Sequence, residues 1–162
     1  MFSIDSNSSI IIIRYTPVLA GSHIPLPRSI SNKKALINVK NSNEKCFAYA
    51  IMSKVLRERR VRDLHLTDKY TSEIWNMFDF SGIRYPTPFN DVKVFERKNQ
   101  ASVNIYGLER DSKDKIYVYP IRISENHIEN KHFDLLYIQE EKQDTPEGFH
   151  GHYCYITDLA RL

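Results

Sequence analysis

The stretch Asn41-Ser42-Asn43-Glu44-Lys45-Cys46-Phe47-Ala48-Tyr49-Ala50-Ile51-Met52-Ser53-Lys54-Val55-Leu56 constrains the fold more than any other. A polar loop runs there into a helix with a cysteine in its first turn. Phe47, Ala50, Ile51 and Val55 recur at helical spacing, so one face is apolar and is expected to be buried. Asn43 is a good N-cap, which puts Glu44, Lys45 and Cys46 at the first three helical positions. A sulfur at that place lies beside unpaired backbone N–H groups and the positive end of the helix dipole, which favour thiolate over thiol. A cysteine nucleophile is commonly activated in this way. The plainer alternative is that Cys46 is a small buried apolar residue.

A length of 162 residues fits one domain with a substantial core. The expected division is a loose tail over 1–8 and a single domain over 9–162. With 41% hydrophobic and 27% charged residues, nothing suggests extended disorder. The net charge of +3 does not announce a nucleic-acid binder, although Arg57, Arg59, Arg60 and Arg62 form a local basic run that reads as a solvated helix end. Two distant cysteines and a start without an apolar leader point to a reducing, intracellular setting, cytoplasmic or nuclear, including delivery into a host cell. Ile10 to Ile13 is too short to cross a bilayer, so no membrane partner is expected.

Taken in order, Ser9 to Tyr15 reads as a β-branched strand. Pro17, Pro25 and Pro27 make Thr16 to Ser31 an extended arm lying on the body. Ala35 to Val39 is a short strand feeding the cysteine loop, and the long helix ends near Arg60. Thr71 to Phe78 is a second helix, and Asp91 to Phe95 one short helical turn. Val103 and Ile105 then open a strand, Gly107 to Lys115 is a charged turn, and Ile116 to Ile123 is another strand. Phe133 to Ile138 and Tyr153 to Ile156 are apolar on both faces and belong in the middle of a sheet. Helices followed by an antiparallel sheet predict an α+β domain.

The last two strands carry the other candidate groups. If they pair as an antiparallel hairpin with Ile138 opposite His152, His132 comes opposite Asp158, close enough for an imidazole to meet a carboxylate. Cys46, His132 and Asp158 then form nucleophile, base and orienter in chain order. His150, His152 and Cys154 alternate on one strand and offer an alternative metal corner. It lacks a supporting Cys-x-x-Cys pair, so no metal and no cofactor is expected.

At these residues the chain resembles the papain-like cysteine peptidases. Lys45 to Ala50 is similar to their cysteine-then-aromatic helix start, His132 to Ile138 to their histidine strand, and Tyr155 to Leu159 to the strand ending in the triad's Asn or Asp. A closer resemblance, over nearly the whole chain, is to the uncharacterised cysteine-peptidase-like domain of large eukaryotic DNA transposons and related viruses. It rests on Asn41…Lys45-Cys46-Phe47, on Tyr106-Gly107-Leu108-Glu109, and on His152 through Leu162. The resemblance implies a papain-like fold, with N-terminal helices packed on a C-terminal antiparallel sheet and the nucleophile on the first long helix. It also implies an oxyanion donor upstream of the cysteine, for which Asn41 is the nearest candidate. His152 is the rival base, because His-Tyr before an apolar strand also resembles the ovarian-tumour type of deubiquitinase.

The expected activity is therefore a cysteine peptidase cutting peptide or isopeptide bonds, most readily a deubiquitinase or ubiquitin-like-protein protease, with a protein substrate such as ubiquitin. The alternatives are a maturation protease of a mobile element or virus, and a catalytically silent papain-like module that binds a partner through the arm or the arginine run.

Overall fold

The computed structural model describes residues 10–12, 23–141 and 149–162, with side chains described from His23 on and outside 141–150. Its centre is the helix α2, Cys46–Glu58, whose first two turns are buried on every side. Cys46, Phe47, Ala50 and Ile51 face a sheet, whereas Ala48, Tyr49, Met52 and Leu56 face the segment that follows the helix. A helix with apolar side chains all round is stable only between two layers, and this one separates two cores.

The sheet is assembled from β1 (Ile10–Ile12), β2 (Leu36–Ile37), β3 (Ser102–Asp111), β4 (Ile116–Arg122), β5 (His132–Glu141) and β6 (Phe149–Ile156), in the order β1-β3-β5-β6-β2 with β4 on the other edge of β3. It is mixed rather than antiparallel throughout, because β3 and β5 run parallel from Ser102↔His132 to Tyr106↔Leu136. The chain leaves β4 and returns beside the start of β3, and that entry point sets the parallel sense. The α+β class expected from the sequence holds. The expected register of the last hairpin is also present, with Ile138 opposite His152.

Alternation along the strands feeds both faces. Val103, Ile105, Phe133, Leu135, Tyr137, Tyr153 and Tyr155 meet α2 and the helix α4 (Phe89–Asn99), with Phe47 edge-on to both Phe95 and Tyr153. Leu136, Ile138, Cys154 and Ile156 face the opposite way and are covered by Ile24, Leu26 and Ile30. The arm expected over Thr16–Ser31 thus packs on the sheet where it is described, from His23 onward, and ends in one helical turn, α1 (Arg28–Ser31). Residues 16–22, and most of the strand expected over Ser9–Tyr15, lie outside the described residues.

Three elements differ from expectation. The turn expected at Asp91–Phe95 is the full helix α4, because Pro88 occupies its N-cap rather than breaking it and Val92 and Phe95 bury one face. The turn expected at Gly107–Lys115 is mostly strand: Gly107 sits within β3, where an added Cβ would come within 2.8 Å of the Tyr119 ring. The helix expected over Thr71–Phe78 is the shorter α3 (Ser72–Trp75), followed by turns closed from Ile74 and Trp75 carbonyls. Among the described residues, no helix is long and apolar enough to cross a membrane.

Candidate active site

Cys46 begins α2, but its N-cap is Lys45 rather than Asn43. The Asn43 carboxamide accepts a hydrogen bond from the Lys45 backbone N–H at 3.2 Å, making a side-chain turn one step before the helix. The cysteine therefore stands at the first helical position, not the third. Its thiol is 1% exposed, and burial pushes it up to about 12 although backbone N–H groups of Tyr153, Phe47 and Cys46 itself pull the other way. Burial thus works against the expected thiolate in the resting molecule, because desolvation outweighs three favourable dipoles.

The contact with Tyr153 fixes where along the sheet the sulfur lies. Tyr153 pairs with Tyr137, which is five residues along β5 from His132. At strand rise that separation is about 16 Å, so Cys46 and His132 lie well apart along the hairpin, one near its middle and the other at its open end.

His132 has other company. The Asp134 carboxylate can only accept, so His132 Nε2–H donates to Asp134 Oδ1 at 3.0 Å, leaving Nδ1 to accept from Ser102 Oγ at 2.7 Å. Ser102 Oγ in turn accepts from the Ile128 backbone N–H at 2.9 Å. Serine, histidine and aspartate stand here in the order of a hydrolytic triad, but Ser102 is fully buried. The chain of bonds ties the first pair of the β3–β5 ladder to the loop before β5.

Asp158, the expected orienter, does not meet His132. The β5–β6 ladder stops at Leu135↔Tyr155, and Asp158 turns away to cap the short helix Leu159–Arg161, accepting from Ala160 N–H at 3.1 Å. Arg161 Nε is its ion-pair partner at 3.7 Å. Asn41, the expected oxyanion donor, is buried and gives its amide N–H to the Asn43 carbonyl at 2.6 Å, bracing the cysteine loop from within.

His152 sits one residue before the amide that faces the Cys46 sulfur. It is fully buried, edge-on to His23 at 5.7 Å between ring centroids. Asn38 Nδ2–H donates to the Ile24 carbonyl at 2.9 Å, which turns Asn38 Oδ1 toward His152 Nε2 at 2.7 Å. The imidazole therefore carries its proton on Nε2 and its basic lone pair on Nδ1. Asn38 was not singled out from the sequence. The one signal was a polar side chain between Ile37 and Val39 in a short strand, and its partner lies 114 positions away.

No protein-family model, curated protein or solved structure matches this chain. The reading of the site thus rests on residues and geometry. Among the described residues no group of three His, Cys, Asp or Glu side chains could hold a metal ion, and the side chain of His150 lies outside them.

Proposed function

We propose that the chain is a papain-like cysteine peptidase acting on peptide or isopeptide bonds, with Cys46 as nucleophile, His152 as base and Asn38 as its orienter. One observation carries the reading. The Cys46 sulfur is faced by the Tyr153 amide, and the neighbouring residue on β6 is a histidine whose tautomer is set by a carboxamide. A thiol, an imidazole and a carboxamide that sets its tautomer are the groups that thiol hydrolysis uses as nucleophile, base and orienter. His132 and Asp158, the pair favoured by strand order, do not serve in this reading because they lie beyond the open end of the ladder, away from the sulfur, and are bonded elsewhere.

In this scheme the Cys46 proton passes to His152 Nδ1 as the sulfur attacks the carbonyl carbon. Imidazolium returns the proton to the departing amine, and water then hydrolyses the thioester with His152 again acting as base. The backbone N–H groups at the start of α2 are the oxyanion donors, in place of Asn41. The segment Ser42–Lys45 that leads into Cys46 is exposed, and in this reading substrate reaches the thiol by displacing it. For substrate, ubiquitin or a ubiquitin-like protein remains the first class to test, with a maturation substrate of a mobile element as the next.

A second reading has its own support. A sulfur 1% exposed and held protonated is what a silent module that binds without cleaving would carry. A general alkylating probe separates the two. The peptidase reading expects Cys46 to be labelled far faster than the fully buried Cys154 once a substrate-like peptide is present, and equal slow labelling of both favours the silent module.

A further inference from the structure

Lys45, the residue before Cys46, is exposed, yet its ammonium is held. Nζ lies 5.5 Å from the centroid of the Trp75 ring and 5.5 Å from that of the Tyr85 ring. Both distances fall inside the range in which a ring quadrupole attracts a cation, about 6 Å. Among the described residues no carboxylate pairs with Lys45, so the two rings alone seat the charge. The seat is rigid on one side: Trp75 is braced edge-on by Tyr49 at 5.5 Å and by Phe80 at 5.7 Å. Tyr49 also belongs to α2, so the Trp75 side of the seat is braced against the helix that Cys46 begins.

We propose that the Trp75–Tyr85 pair is a binding subsite for a cationic substrate side chain, Lys or Arg, and that Lys45 fills it as an internal competitor in the resting molecule. The placement of the subsite next to a scissile bond rests on the Cys46 reading; the binding of a cation does not. A tethered competitor acts at an effective concentration of about millimolar. A free basic side chain must therefore bring further contacts along its own chain to displace Lys45. A neutral side chain gains nothing from the quadrupoles and leaves Lys45 in place.

Trp75 is the only tryptophan in the chain, so its emission reports on the seat. The experiment titrates the full chain and its Lys45→Met variant with acetylated tetrapeptides Gly-Xaa-Gly-Gly, where Xaa is lysine, arginine or norleucine. The proposal expects a saturable change in Trp75 emission for the lysine and arginine peptides. The midpoint should be at least five-fold lower in Lys45→Met than in the wild type, with no saturable change for norleucine. Tyr85→Leu in the Lys45→Met background should raise that midpoint several-fold. Equal responses to lysine and norleucine, equal midpoints with and without Lys45, or no saturable response would each overturn it. None of these readouts needs turnover, so a silent Cys46 leaves the test intact.

Discussion

Cys46 shows how burial can reverse what a helix end arranges. Position and dipole favour thiolate, yet desolvation leaves the thiol protonated to about pH 12. Without substrate, the rate of Cys46 alkylation should therefore rise steadily with pH through 10 with no plateau, and stay below that of a free cysteine. A plateau near neutral pH, followed by mass spectrometry of the labelled peptide, would contradict the resting state described. Cys154 is also pushed up by burial, next by the nearby Cys46 sulfur, and it packs among Leu136, Ile138 and Ile156. Its replacement by alanine should cost about 1 kcal/mol or more, read as a lower urea midpoint, and leave turnover nearly unchanged. Replacing His132 by alanine strips Ser102 of a partner in a dry site, at a cost of about 1–3 kcal/mol. Because His132 is a structural tie here, that variant should lose stability rather than chemistry. Full stability with abolished turnover would return His132 to the site.

At the scale of elements, α4 is fastened to β3 and β4 by one carboxylate. Glu96 Oε1 accepts from Arg122 Nη2 at 2.6 Å, while Oε2 accepts from the Val103 N–H at 2.9 Å and from the Ser124 hydroxyl. Burial raises the Glu96 carboxyl, but the bonds from Arg122, Ser124 and Val103 and the Arg122 charge outweigh it, so the net direction is downward. A carboxyl lowered on folding adds stability that is complete above its unfolded value of about 4.3, and loses it as pH falls through the lower folded value. Glu96→Gln should thus be less stable at pH 7, by about 1–2 kcal/mol, and lose less than the wild type between pH 7 and pH 3. Urea midpoints at the two pH values check this, and an equal or steeper acid loss in the variant would contradict it.

The elements also show which parts of the fold were legible in sequence. The helix after Cys46 and the Ile138–His152 register follow from local periodicity and strand alternation, which need no distant information. Extending that register to His132 and Asp158 failed because a strand's end is decided by competing local bonds: Asp158 caps its own short helix instead of continuing the ladder. The parallel β3–β5 pairing and the Asn38–His152 bond were hidden for another reason. Each joins segments far apart in sequence, and neither leaves a periodic trace in either one. Pro88 opens α4 because a proline stops a helix only from within, whereas at its beginning the missing N–H costs nothing.

For the whole molecule, the sheet lies between helices on one face and the arm on the other, with α2 set so that its first residue meets the middle of β6. The central claim is that this meeting point, and not the His132 end of the hairpin, is where chemistry occurs. The most direct test treats the wild type, His152→Ala and His132→Ala with ubiquitin carrying a C-terminal electrophile, and follows the covalent adduct on Cys46 by intact mass. The account predicts an adduct in the wild type and in folded His132→Ala, and its loss in folded His152→Ala. An adduct that survives in His152→Ala but disappears in His132→Ala would contradict it.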